Sequence, residues 1–484
     1  MSILGDVSLE QVAMKVLEAE NWMAPFLVAD CNNDGSVDVT DYIVTLSVKA
    51  KAEGKNVIML MEGRYWIRPD RFKTLSYMTY LGLGDARFIT KETVPYNVML
   101  ATTPTSKCTR FKNLGFDQTG DASMVPEPTK GIHILHIPDS DDIEVDDCRF
   151  YGNGVTSLLI QPNPGWGNKV KITNNKTFWN RKVDQYFDST MFYIEGFSGE
   201  VAGNEFHITN EHGVVDWRTE SGMEIHSPNM SVHDNTIDGC INGILHTQNP
   251  SLYPSYDNKI LGKVRIKDNN VFKCVRGIVC WGSHLQTGVI TKNVDISGNY
   301  VNPHMEAGSQ FNFYYPMIGI GFVDGRGPGG AVGDDSFIRE MAIHGNQIET
   351  TYQEGLDLSS LLNYTLQEKE LGGISLRTNN SCEDIDIYEN IINYPFAAIK
   401  LCAQQDRIAN LHKRIRVFNN RFLDCSIYHA YDPEDQKFDA IYNTKNVDDV
   451  DIFKNRVYGK QPSYAPIEYL RKGINSSNVK YEEG

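Results

Sequence analysis

The densest run of chemically competent side chains is Glu220-Ser221-Gly222-Met223-Glu224-Ile225-His226, preceded by Asp216-Trp217-Arg218. Carboxylates beside an imidazole, an indole and a guanidinium suit sugar hydrolysis. One carboxyl protonates the leaving oxygen, a second activates water or attacks, and an aromatic face stacks on the ring. Glu195 joins the set because it lies about one repeat upstream. The catalytic candidates are therefore Glu195, Asp216, Glu220 and Glu224, with Trp217, Arg218 and His226 as substrate-binding candidates. The competing reading is a solvated acidic surface, since the chain carries 62 acidic residues. A second set comprises Trp281, His284, Asp324, Arg377 and Lys400, near Arg326. Its cations would hold an acidic sugar, as a polysaccharide lyase requires. Serine or cysteine nucleophile elbows, zinc spacing, a dinucleotide fingerprint and a P-loop are missing.

These residues need a scaffold, and an internal repeat supplies it. An aliphatic residue, two residues, Asn, one residue and an apolar residue recur from Ile172–Asn175 to Ile452–Asn455–Val457. The repeat Asn residues are Asn175, Asn204, Asn235, Asn269, Asn299, Asn346, Asn390, Asn420 and Asn455, with Cys148 as a variant. The base period is about 30 residues, which marks a solenoid. Each period holds short runs of alternating apolar and polar residues that read as strands. The expected fold is all-β, a right-handed parallel β-helix with a short N-terminal helical cap. Stacked coils lie about 4.8 Å apart, so the Asn residues form a column. Asn also tolerates the left-handed backbone of a tight corner. Cys240, Cys274 and Cys425 follow their Asn by the same interval and should stack as small buried side chains.

Aligning the strand after each corner gives inward pairs Leu158/Ile160, Phe192/Ile194, Met223/Ile225, Ile278/Cys280, Ile318/Ile320, Ile374/Leu376 and Ile399/Leu401. Outward positions then include Tyr193/Glu195, Glu224/His226, Val279/Trp281, Ser375/Arg377 and Lys400/Cys402. Glu195 and Glu224 fall on consecutive coils, within the range of carboxylate separations that glycoside hydrolysis uses.

The chain divides into an N-terminal helical or attachment segment (1–28), a cap and first coils (29–100), a body (101–459) and a terminal extension (460–484). A net charge of -16 argues against nucleic acid and anionic membrane partners. No apolar run is long enough for membrane insertion, and the N-terminus reads as lacking a signal peptide. Free thiols are expected of the nine Cys. Asp30, Asn32, Asp34, Gly35, Asp38 and Asp41 match the spacing of a calcium loop. A second loop is missing, however, and position twelve is Asp rather than Glu. No cofactor is expected otherwise.

The order Asp34-Gly35, a helix opening at Thr40-Asp41, then a strand ending Gly63-Arg64-Tyr65 resembles the entry segment of pectate-lyase-like β-helices in phage tail proteins. The resemblance implies that the helix closes the open end of the solenoid. It also implies a homotrimer on a virion tail, beside other phage tail proteins, that binds and usually cleaves a bacterial capsular or O-antigen polysaccharide. It transfers no catalytic residue. The readings that follow are an endo-glycosidase with paired carboxylates, a polysaccharide lyase, and a non-catalytic receptor-binding or structural tail protein.

Overall fold

In the computed structural model, the described residues are 26–27, 34–68, 71–90, 98–102, 107–118, 133–138, 141–152, 156–161, 169–180, 190–196, 198–209, 219–247, 263–282, 290–305, 318–324, 337–352, 372–377, 381–402, 411–425, 431–432, 437–438, 442–445, 447–458, 470–472 and 476–482. They form a right-handed parallel β-helix. Its three parallel sheets, numbered in chain order, hold fifteen, fifteen and twelve strands among these residues. One coil shows the plan. Asn229–His233 lies in sheet 1, Thr236–Asp238 in sheet 2 and Cys240–Thr247 in sheet 3. The chain then returns to sheet 1 at Val264–Lys267, directly over Ser231–His233.

One continuous apolar core fills the bore, running from Val39 to Ile452. The Asn column stands at the corner between sheets 1 and 2. Each Asn side-chain amide donates to the next Asn Oδ1 at 2.8–2.9 Å, from Asn175 to Asn455. The amide also donates to a carbonyl of the coil below, as Asn269 does to Val232 at 3.0 Å. The ladder thus satisfies corner groups that would otherwise be buried without partners. Cys148 forms its foot, its N–H donating to Asn175 Oδ1 at 2.9 Å. The left-handed residue is not the ladder Asn but the one before it, for example Asp234, Asp268 and Gly298. That division is physical: the preceding residue turns the chain and leaves the Asn side chain directed inward to bond.

A glycine column, silent in the period, makes the corner into sheet 3. A Cβ on Gly277 would come within 2.0 Å of Val301 Cγ1 and 2.6 Å of Gly319 O. Gly222, Gly243, Gly319 and Gly373 are equally crowded.

The helix Thr40–Ala52 closes one end, burying Ile43, Ser47 and Ala50. Asp38 accepts from Thr40 N–H at 2.9 Å, and both Asp38 and Asp41 meet Arg71. Asp34–Asp38 is a strand paired with Gly63–Trp66. No group of three or more His, Cys, Asp or Glu among the described residues could hold a metal ion. Asp30 and Asn32 lie outside the described residues.

Four further expectations need correcting. The alignment above skips a coil, because Cys240–Thr247 stacks between Thr219–His226 and Arg276–Gly282. Its inward position is His246, a polar residue that breaks the apolar pattern yet is fully buried. Ile318/Ile320 is also out of register, since Ile278 and Cys280 face Ile320 and Phe322. Finally, the solenoid runs past residue 459: Leu470–Lys472 and Ser477–Tyr481 extend sheets 3 and 1. Their pattern is faint because the last coil buries little, with Val479 and Tyr481 only half-buried. The cysteines do not form one column. Cys240 and Cys274 lie on successive coils, whereas Cys425 lies four coils further on; all three are free and buried.

Candidate active site on the outer face of sheet 3

Strands Thr190–Glu195 and Thr219–His226 lie side by side, with Tyr193 opposite Glu224 and Glu195 opposite His226. Alternation turns Phe192, Ile194, Met223 and Ile225 into the bore and leaves Tyr193, Glu195, Glu224 and His226 outside. Glu195 and Glu224 are therefore diagonal neighbours, and such pairs lie about 7–8 Å apart. That is a backbone spacing, from which two Glu side chains can bring their carboxyls to either of the separations that glycoside hydrolysis uses, about 5–5.5 Å or about 6.5–9.5 Å.

The two carboxyls sit in different surroundings. Glu195 is 6% exposed and accepts from the Tyr193 hydroxyl at 2.9 Å. Burial pushes its pKa up, and the Tyr193 bond and the nearby His226 only partly offset this. Burial would raise Glu224 as well, but its hydrogen bonds reverse the direction. His226 Nε2 lies 3.4 Å from Oε2, while Thr190 and Ser221 donate hydroxyls to Oε1 at 2.9 and 3.1 Å. Glu224 is thereby held below the usual carboxylate range. His226 packs against Tyr193 with ring centroids 4.7 Å apart. One carboxyl inclined to keep its proton beside another inclined to lose it is the arrangement acid–base chemistry needs.

Thr190, Ser221 and Asn242 occupy matching positions on three coils, and Asn242 Nδ2 donates to Ser221 Oγ at 3.2 Å. Sequence reasoning passed over Thr190 and Asn242; the strand register would have found both. Beyond Glu224 the face turns apolar, where Leu245, Val279 and Ile318 form their own buried cluster. Behind it, His246 Nε2 donates to Ser227 O, 3.1 Å away, and burial pushes its imidazole down to about 4.

The remaining candidates separate. Glu220 belongs to the strand Thr219–His226, but its side chain lies outside the described residues, as do Asp216, Trp217, Arg218, Arg326 and His284. Trp281 stands in the Glu195–His226 column two coils beyond His226, with Thr247 between them. Asp324 pairs with Gly282, and Arg377 with Val323. Lys400 pairs with Ser375, in the Glu224 column but five coils from it. At about 4.8 Å per coil this is roughly 24 Å, so Lys400 shares the face but stands away from the Glu195–Glu224 pair.

Residues 131–301 match the model of the right-handed beta helix region family. No curated protein matches the chain by sequence. Among solved structures, a tailspike protein mutant of E. coli bacteriophage HK620 in complex with a hexasaccharide superposes with TM-score 0.58 at 11% identity, covering 96% of this chain and 81% of that one. The tailspike of the same phage in complex with a pentasaccharide gives 0.56 at 11%, covering 93% and 77%. PfbA, a surface adhesin of Streptococcus pneumoniae, gives 0.54 at 12%, covering 83% and 91%. The chain folds as the right-handed parallel β-helix that phage tailspikes also adopt.

Proposed function

We propose that this protein hydrolyses a bacterial capsular or O-antigen polysaccharide within the chain, using Glu195 and Glu224. The observation that carries the reading is their adjacency on consecutive coils with opposite shifts in acidity. Glu195, inclined to stay protonated, gives its proton to the glycosidic oxygen as that bond breaks. Glu224, inclined to stay ionised, takes a proton from the water that attacks the anomeric carbon. Burial keeps Glu195 inclined to its protonated form, and His226 with the buried row Thr190, Ser221 and Asn242 holds Glu224 ionised and in place.

The fold-level likeness to tailspikes solved with oligosaccharides supports the substrate class. The same likeness supports a homotrimer on a virion tail among other tail proteins. Sedimentation should then report a mass near three times 54.6 kDa; a mass of one chain would remove the trimer. Incubation with capsular and O-antigen polysaccharides tests the chemistry. New reducing ends without ultraviolet absorbance from unsaturated uronates are the expected result. Both signals together would move the assignment to a lyase acting through Arg377 or Lys400. Binding with neither signal would leave a receptor-binding or structural tail protein.

A further inference from the structure

A second feature lies on the outer face of sheet 1, on another side of the solenoid from Glu224. Six successive coils carry a left-handed residue at one stacked position: Asn293, Glu340, Asp384, Arg414, Asp449 and Asn478. Glu340 and Arg414 lie outside the residue types that tolerate this region (Gly, Asn and Asp), so the chain holds a disfavoured backbone at two of the six coils. The bend puts two neighbouring side chains outward on one strand, as Glu383 and Asp384 show by both engaging Arg414. The result is a groove of about 540 Å³.

Its floor is the adjacent column Asp295, Ala342, Asp386, Arg416 and Asp451. Five stacked strands make it about 19 Å long. Ala342 leaves a gap between Asp295 and Asp386, which face each other across two strand spacings. One margin is a stack of rings, His344, Tyr388, Phe418 and Phe453, with centroids 4.7–5.2 Å apart and planes within 6°. Four of the six carboxylates lining it have partners: Asp295 with Lys263 at 3.0 Å, Asp384 with Arg414 at 2.6 Å, Asp386 with Arg416 at 2.5 Å and Asp451 with Lys480 at 3.4 Å; Glu340 and Asp449 are the other two.

We propose that this groove is a second, non-catalytic binding site for a neutral, hydroxyl-rich saccharide chain. An anionic ligand would meet six carboxylates against three cations, and one that competed for the cations would have to break existing ion pairs. Hydroxyl groups need only replace water on carboxylate and guanidinium groups that stay paired, and such charge-assisted bonds are strong. A second protein copy fits less well, because interface centres are depleted in charge. Asp295 and Asp384 are both held below the usual carboxylate range, Asp295 against its burial by Lys263 and Asp384 by Arg414. Both are thereby kept as hydrogen-bond acceptors for sugar hydroxyls. The ligand class rests on the polysaccharide reading above, and the test separates the two.

The full chain is applied to arrayed capsular and O-antigen polysaccharides in a Glu224→Gln background. One variant carries Asp386→Ala with Arg416→Ala, which removes a pair without stranding a charge. Another carries Ala342→Gln, which fills the gap and touches no charge. Each should weaken array binding by about tenfold or more. In the wild-type background, each should leave the melting temperature, the solution mass and the kcat for cleavage unchanged. Unchanged array binding by either variant overturns the proposal. So does a fall in solution mass, which would make the groove a subunit interface, or a parallel loss of kcat, which would merge it with the first site. Failure of the wild-type chain to cut any polysaccharide would sink the hydrolase reading and leave the array result standing.

Discussion

At the scale of single residues, acidity divides the work. Glu195 must be protonated to act, so activity should fall as pH rises through its raised pKa. Glu224 must be ionised, so activity should also fall as pH drops through its depressed pKa. The reducing-end rate against pH should be bell-shaped, with an acid limb below the ordinary glutamate range and a basic limb above it. Equal limbs crowded at the ordinary value would contradict the split. Stability follows the same signs. The bonds to Glu224 stabilise the fold fully above the unfolded glutamate pKa, and that contribution is lost as pH falls through the folded one. The burial of Glu195 costs nothing below its unfolded pKa and destabilises once pH exceeds the folded one. Sequence spacing alone revealed that Glu195 and Glu224 meet. It could not reveal the shifts, because these depend on Thr190, Ser221 and Tyr193, ordinary residues until the register aligns them.

At the scale of elements, the Asn corner is the strongest device and was the most legible. Asn269 donates to Val232 O, Lys267 O and Asn299 Oδ1, and its own Oδ1 accepts from Asn235. Asn269→Ala strands several of these groups in a fully buried site. It should cost about 3 kcal/mol or more, at roughly 1–3 kcal/mol for each orphaned group. Denaturant unfolding would read it, and a loss under about 1 kcal/mol would mean that the ladder is decorative. Elements that leave the apolar pattern were harder to see. The strand Cys240–Thr247 hides because His246 takes an inward position normally held by Ile or Leu. The strand Ser477–Tyr481 hides because an end coil has no next coil to bury it. The glycine column and the left-handed column of sheet 1 carry no apolar signal, so periodicity passes over both.

At the scale of the whole molecule, the solenoid converts a one-dimensional repeat into long faces whose columns each present one outward position per coil. One face carries the Glu195–Glu224 pair and a separate apolar cluster, and another carries the paired-charge groove. This explains why a candidate list read from local clusters was only partly gathered by the fold. Glu195, Glu224 and His226 share two adjoining strands, while Arg377 and Lys400 stand several coils away. The most direct test of the carboxylate pair is the rate of reducing-end release by Glu195→Gln on the polysaccharide that the wild-type chain cuts, with binding measured alongside. The predicted result is a loss of about 100-fold or more in kcat, with binding retained and a melting temperature at neutral pH equal to or above that of the wild type. Turnover within a few-fold of the wild type would remove Glu195 from the chemistry and the paired-carboxylate mechanism with it.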